Sequence, residues 1–376
     1  MKIGIDARSL EHSKTGVRRY LANLLEFWKN EKNNQFILYF KDKIPNDELI
    51  DSDNFKKVLL KNSLGFSSNF FFQHFLLPYN LKKDKVDFFF SPFYLKPLYC
   101  PVRSSIVLHD ISYESHPEWF DRKSQFILRK LSKISAKKAK KIFTVSDYSK
   151  GEIIKYYHTD HNKITVTNLA PDSSFEKIED INKINAIKEK YKIKKKFIFC
   201  LGTIFSRRHI AEIIDAFEKI SLECDEYQLL IVGKNKTYPF IDINNKIEII
   251  NNRSKENSIV HLDFVSEEEL LVFYSLCDLI IYLSDYEGFG LPVIEAQFFG
   301  KPVITSYNSS LVDVGGDSVE FVKDNTVDEI CESMGKLISD KRYKLDLIKR
   351  GNENVKRFSW ERCAKETLER ILNIEY

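Results

Sequence analysis

The sequence lacks any uninterrupted apolar span of the roughly 18 residues that a membrane-crossing helix requires, so no transmembrane segment is expected. Its six cysteines, at positions 100, 200, 224, 277, 331 and 363, form no CxxC and show no spacing typical of a disulfide or zinc framework. They are read as reduced, mostly buried thiols of a cytoplasmic protein. Strong charge of one sign is also missing. The formal net charge is +4, which makes no demand for a nucleic-acid partner, although a local basic patch can still act. No strand-like run leads into a GxGxxG fingerprint with a ribose-binding acid downstream, and this disfavours a dinucleotide oxidoreductase. The start, MKIGIDARSL, reaches an aspartate at position 6 and reads as a first strand, not a signal peptide.

What is present points to two domains. A chain of 376 residues is too long for one ordinary core, and 43% hydrophobic residues can fill two. The most informative stretch runs from Leu283 to Pro302, LSDYEGFGLPVIEAQFFGKP. The apolar run CDLIIYL precedes it. Glu287-Gly288-Phe289-Gly290-Leu291-Pro292 then forms a tight glycine loop, followed by a helix-like segment carrying Glu295. Glycines let backbone approach a ligand, and the next helix presents unpaired N–H groups with a partial positive charge. Phosphate is the usual guest of such a site. Glu287 and Glu295, eight positions apart, can accept hydrogen bonds from sugar or ribose hydroxyls; a strand, turn and helix with solvated glutamates is the plain alternative.

Along the chain, apolar runs mark strands at Lys2–Asp6, Gln35–Phe40, Lys57–Leu60, Val86–Ser91, Ser105–Leu108, Ile142–Val145 and Lys163–Val166. Thr15-Gly16-Val17 turns into a helix over Arg18–Lys29. The segment FSSNFFFQHFLLPYNL (Phe66–Leu81) reads as a buried helix stopped by Pro78, or as a hydrophobic face for lipid or a lipid-linked acceptor. A buried strand ends in His109-Asp110, where open parallel sheets bind ligands. The basic helix Lys123–Lys141 is a solvated face or a surface for anionic lipid. Ser146 begins another helix. A polar Lys/Asn-rich linker follows, and the pattern restarts with FIFCL (Phe197–Leu201), Gly202-Thr203, then Ser206-Arg207-Arg208-His209 before a helix over Ile210–Ile220. Paired guanidinium forks suit a diphosphate. Further strands are expected at Gln228–Val232, Val260–Phe264, Asp278–Leu283, Val303–Thr305 and Val319–Val322, with helices at Glu267–Ser275, Arg342–Lys356 and Trp360–Ile374. Alternating strands and helices in both halves predict an α/β chain of two Rossmann-like doubly wound domains facing across a cleft. The expected boundaries are 1–172 for the first domain, 173–195 for a linker and 196–357 for the second, with 358–376 packing back onto the first.

In motif order, IGIDARSL, TGVRRY, VLHDISYESHPEWF, IFTVSDYSKGEI, LGTIFSRRHI and FVSEEELLVFYSLCDLIIYLSDYEGFGLPVIEAQFFGKPVITS resemble a retaining glycosyltransferase of family 4 with the GT-B fold. The pattern is most similar to bacterial polysaccharide and O-antigen mannosyltransferases. The resemblance implies transfer of a hexose, with retention, from a nucleotide-diphosphate sugar to a hydroxyl of a glycan or lipid-linked acceptor. It implies a GDP-sugar in preference to a UDP- or dTDP-sugar. It assigns Gly16, Gly202 and the amides of Gly288, Phe289, Gly290 and Leu291 to the donor, Arg207 and Arg208 to the departing diphosphate, and Glu287 to the sugar hydroxyls. Glu295 is assigned to the ribose, His109 to the sugar near the reacting carbon, and Asp110 to the acceptor side. His209 stands where the family usually has Asn, and Asp313 where it often has Glu. No metal and no cofactor is expected. Asp51-Ser52-Asp53 is a polar loop, and His158-Thr159-Asp160-His161 is isolated. Peripheral contact with the inner face of an anionic plasma membrane is a further expectation. A nucleotide-sugar epimerase on the same fold and a non-catalytic sugar-binding homologue are the alternatives.

Overall fold

The computed structural model describes residues 1–11, 16–60, 68–253 and 258–373, without the side chains of Ser124 and Glu223. The expectations for Thr15, for residues 66–67 of the phenylalanine-rich segment and for residue 374 lie outside the described residues. The chain forms two compact units, Met1–Ser173 with Ser359–Tyr376, and Ser174–Phe358.

The first unit is built on a parallel sheet of β1 (Lys2–Asp6), β2 (Gln35–Phe40), β3 (Phe55–Leu59), β4 (Phe88–Ser91), β5 (Arg103–Val107), β6 (Lys141–Thr144) and β7 (Ile164–Val166), ordered β3-β2-β1-β4-β5-β6-β7. In β4 all four side chains of FFFS are buried, as expected where helices cover both faces of a parallel sheet. Order reverses between β1 and β4, which pair from Ile3 with Phe88 to Ile5 with Phe90. The C-terminal helix Trp360–Leu372 belongs to this unit. Trp28 at the end of helix Gly16–Trp28 donates its Nε1–H to the Ala364 carbonyl at 3.0 Å, and Tyr20 meets Trp360 edge-on.

The second unit repeats the scheme with β8 (Lys196–Leu201), β9 (Tyr227–Val232), β10 (Ile259–Leu262), β11 (Leu279–Tyr282), β12 (Val303–Ser306) and β13 (Glu320–Val322), ordered β10-β9-β8-β11-β12-β13. Every pairing is parallel. Its core is an aliphatic cluster around Ile198, Ile213, Phe217, Leu229, Ile281 and Met334. Order reverses between β8 and β11, so their carboxyl ends flank the switch point where open α/β sheets hold ligands. These two sheets are the doubly wound α/β architecture expected of a GT-B chain.

Two expectations need correction. The helical run 69–83 does not stop at Pro78. A π-helical segment, Phe72–Leu76, precedes an α-helical segment, Leu77–Lys83, and Pro78 falls in the first turn of the latter. Nor is the run wholly buried: Phe72, Leu77 and Leu81 are inside, whereas Phe70, Phe75 and Tyr79 are more than half exposed.

The β8 and β9 ends touch so closely that Gly233, with φ of +155°, could not bear a side chain. A Cβ there would sit 2.0 Å from the Gly202 carbonyl oxygen. Gly233→Ala is therefore expected to lower stability by about 2 kcal/mol or more, read as an earlier urea unfolding transition.

Candidate active site

The second unit gathers most of the implicated residues at the β8/β11 switch point. β8 runs into Gly202, whose φ of +110° suits only glycine well, and the chain then makes a 3-10 turn at Ser206–Arg208. His209 follows with φ of +54° and is the cap before helix Ile210–Glu223. Left-handed backbone is tolerated by Asn and His better than by most residues. The conformation thus explains how His can occupy a position where the resembled family usually has Asn.

From the other side, β11 runs into Ser284, Asp285 and the glycine loop. Arg208 Nη2 lies 3.1 Å from Glu287 Oε1, both side chains being largely buried. The pair is misaligned, and neither Glu287 Oε1 nor Arg208 Nε and Nη1 has a hydrogen-bond partner. The guanidinium also rests 4.2 Å from the centre of the Tyr282 ring. Burial opposes its charge, but Glu287 and Tyr282 outweigh burial and hold its pKa above the ordinary value. The site therefore keeps a buried, charged fork with unused donors. Arg207 stacks over Phe205, with its guanidinium carbon 4.4 Å from the ring centre.

A second bridge ties the two loops. His209 Nε2 is 2.6 Å from Asp285 Oδ1, and the Asp285 amide donates to the Arg207 carbonyl at 3.0 Å. Burial lowers the His209 pKa, and the bond and charge of Asp285, with Glu212 behind them, more than reverse this, so the net shift is upward. The glycine loop is held by hydroxyls. Glu287 N donates to Ser309 Oγ at 3.1 Å, Ser310 Oγ donates to the Glu287 carbonyl at 2.9 Å, and Ser284 N donates to Ser306 Oγ at 3.0 Å. Gly290, with φ of +99°, caps helix Leu291–Phe298; a Cβ there would strike Leu311 Cδ2 at 2.6 Å. Phe289 turns its ring inward against Phe358, so only its backbone is available to a ligand.

Glu295 sits in the second turn of that helix and is buried, accepting the Tyr274 hydroxyl at 2.6 Å. One carboxylate oxygen is thus fixed from behind by a residue that sequence reading passed over. Nothing in FYSL distinguishes Tyr274 from a packing aromatic. The serines of SYNSSL were likewise missed, although three hydroxyls in five residues beside a strand end were a usable signal.

Gly16, His109 and Asp110 belong to the first unit. Gly16 opens helix Gly16–Trp28 and is exposed; a Cβ added there would meet nothing within 4 Å. His109 follows β5, packs edge-on to Tyr20 at 5.0 Å and bonds the Pro92 carbonyl through Nε2 at 3.2 Å. Burial lowers its pKa against the opposing pull of Pro92 and Asp110, so the ring is neutral near pH 7. With Nε2–H donating to Pro92, Nδ1 is left as an acceptor. Asp110 is engaged locally: Oδ1 accepts from the amide and hydroxyl of Ser112 at 2.9 and 2.7 Å, and Tyr94 reaches Oδ2 at 3.4 Å. Asp313 is exposed on helix Ser309–Gly315. His161 and Asp160 are exposed on the surface, and among the described residues no three His, Cys, Asp or Glu side chains gather as a metal cage.

Residues 182–354, which contain all of the second-unit site, match the family model of glycosyl transferases group 1. The chain is a glycosyltransferase. Escherichia coli O-antigen chain mannosyltransferase B is 29% identical over 268 residues, covering 71% of this chain and 69% of its own length. The serotype-specific mannosyltransferase WbdA of Escherichia coli is 25% identical over 247 residues, covering 65% of this chain but only 30% of WbdA. Among solved structures, Anabaena HepE, crystallised with UDP and glucose, superposes with a TM-score of 0.74 at 15% identity, over 99% of both chains. That likeness establishes the fold of the glycosyltransferase. It supports the GT-B arrangement of two parallel α/β sheets.

The raised pKa of His209 carries a pH signature. Its proton is bound more tightly in the folded protein, so its contribution is full below the unfolded value of about 6.5 and is lost as pH rises through the higher folded value. Urea titrations across this window should show wild type losing stability relative to His209→Asn as pH rises. Parallel curves at all pH values would contradict the pairing with Asp285.

Proposed function

We propose that this glycosyltransferase moves a hexose from a nucleotide-diphosphate sugar to a hydroxyl of a glycan or lipid-linked acceptor in surface polysaccharide synthesis, with retention of configuration. The observation that carries this reading is Arg208, a buried cation whose Nε and Nη1 lack partners beside the glycine loop and the start of helix Leu291–Phe298. Such a fork matches two phosphate oxygens, and the helix N-terminus adds its partial positive charge. The names of the mannosyltransferase relatives favour mannose, and with it a GDP-sugar over a UDP- or dTDP-sugar. The motifs of the glycine loop and the arginine pair support membership of family 4. The inner face of the plasma membrane, met peripherally, is where such an acceptor would be used.

In this reading the bond from the anomeric carbon to the diphosphate oxygen breaks, leaving negative charge on phosphate and positive character on the sugar. Arg207 and Arg208 neutralise the first. Electrostatic stabilisation aimed at developing charge is the largest catalytic term in many enzymes. The acceptor oxygen attacks the same face, and its proton passes to the departing diphosphate. Glu287, released from Arg208 when phosphate arrives, accepts from sugar hydroxyls alongside the amides of Gly288, Phe289 and Gly290. Gly202 and Gly16 bring backbone to the donor phosphates. Glu295, braced by Tyr274, accepts from the ribose. His109 offers Nδ1 to the sugar, and Asp110 shapes the acceptor side through its turn. The arginine pair takes the part that a divalent cation plays elsewhere, so no resident metal or cofactor is needed.

The test is transfer of radiolabelled hexose from GDP-, UDP- and dTDP-sugars to an extracted glycolipid acceptor. Arg207→Ala with Arg208→Ala should reduce transfer by about a thousandfold or more while circular dichroism stays native. Glu295→Ala should weaken donor binding, and wild-type transfer should persist in EDTA. Undiminished transfer by the double variant would sink the mechanism, and loss in EDTA would sink its metal independence.

A further inference from the structure

His209 brings a titratable group to a position where the resembled family usually has Asn, and a chain of hydrogen bonds leads to it across the ends of three strands. Ser284, beyond β11, donates its amide to Ser306 Oγ at 3.0 Å. Ser306, at the end of β12, passes its hydroxyl proton to Asn325 Oδ1 at 2.7 Å. Asn325, beyond β13, is buried and has a φ of +52°. Because its carbonyl oxygen faces a hydroxyl donor, its Nδ2 is turned toward Asp285 Oδ1, at 3.5 Å. The same carboxylate oxygen receives the Nε2–H of His209 at 2.6 Å. The chain therefore ends on Asp285 as an acceptor from two directions, the role of an ionised carboxylate.

The Asp285 charge is anchored to the arginine turn, since the Asp285 amide donates to the Arg207 carbonyl. The charged groups around His209 are Asp285 from the loop after β11, Glu212 on its own helix with Oε2 4.0 Å from Nδ1, and Arg207 and Arg208 just before it. Glu287, farther along the glycine loop, faces Arg208 instead. With His209 protonated, the His209–Asp285 pair is neutral. With His209 neutral, the hydrogen bond survives but the carboxylate charge stands uncompensated beside the two arginines. The upward shift of the His209 pKa places this change above the ordinary histidine value.

We propose that His209 is a positioning residue that couples donor binding to a proton: its imidazolium neutralises Asp285 so that the arginine turn can take the donor diphosphate, and its loss of the proton leaves a carboxylate that repels that diphosphate. An Asn at this position could keep the hydrogen bond but has no proton to lose. The inference rests on the seat of the diphosphate proposed above and adds that its affinity depends on pH. By linkage, a diphosphate that favours the protonated form also raises the His209 pKa when it binds, so binding takes up protons. The side chains are 18% and 43% exposed, so solvent screens the effect and keeps it modest.

The experiment is calorimetric titration of the full chain with GDP-mannose, UDP-glucose and dTDP-glucose in buffers of low and high ionisation enthalpy, from about pH 6 to about pH 8.5. A diphosphate diester does not titrate in this range, so proton uptake reports the protein. Wild type is expected to take up a fraction of a proton on binding donor, and to lose about fivefold in affinity as pH rises through the folded pKa of His209. His209→Asn should bind without uptake, at the weaker wild-type affinity throughout. Asp285→Asn has no charge to neutralise and should bind without uptake at the stronger affinity throughout, so the two variants bracket the wild-type curve. A merely structural tie would weaken binding in both variants and link neither loss to a proton. Donor binding without proton uptake in wild type, or uptake that persists in His209→Asn, would overturn the proposal and leave the diphosphate seat standing. Failure of all three nucleotide-sugars to bind at any pH would overturn both. The wild-type measurement decides even where a variant fails to fold.

Discussion

The second unit depends on a buried positive charge that the protein only partly satisfies. Arg208 is desolvated at the end of β8, held by a misaligned ion pair with Glu287 and by the face of Tyr282, and two of its nitrogens go unbonded. Unpaired buried donors are costly, and a fold keeps them where a ligand completes them. A diphosphate would supply the missing acceptors. It would also free Glu287, so binding and the preparation of a carboxylate for the sugar become one event.

The remaining local structure keeps that charge in place. The strand-end contact of Gly233 with Gly202 sets the exit of β8. The left-handed turn at His209 then directs the chain into helix Ile210–Glu223, and its bond to Asp285 locks the arginine turn to the glycine loop. Serine hydroxyls at 306, 309 and 310 fix the loop backbone from β12 and the helix after it. In the first unit a comparable device closes β1: the Arg8 guanidinium bonds both oxygens of buried Asp6 and reaches Gln73 at 3.2 Å. Both sheets thus place charge at their carboxyl ends, where open α/β sheets hold ligands, and leave their cores aliphatic and aromatic.

Much of this was legible in sequence. Parallel strands buried on both faces read as short apolar runs, and the thirteen strands among the described residues coincide with runs such as FIFCL and QFILYF, within a few residues. The glycine loop and the arginine pair were legible because backbone conformation and charge are local properties. The partners of those residues were not, since Tyr274, Tyr282 and the serines reach the site only through tertiary packing. Pro78 misled because the helical run continues through it, with a π-helical segment immediately before. The helix Ile243–Arg253, INNKIEIINNR, was passed over because its asparagines favour turns. Val327–Ser339 was passed over although its apolar residues fall at helical spacing behind a Thr326 cap.

The claim that matters most is that the unbonded edge of the Arg208 guanidinium is the seat of the donor diphosphate. A crystal structure with GDP or UDP tests it directly. The account predicts the two phosphates against Arg207 and Arg208 and the start of helix Leu291–Phe298, with the Arg208–Glu287 pair opened. A nucleotide bound elsewhere, or bound there with that ion pair unchanged, would contradict it.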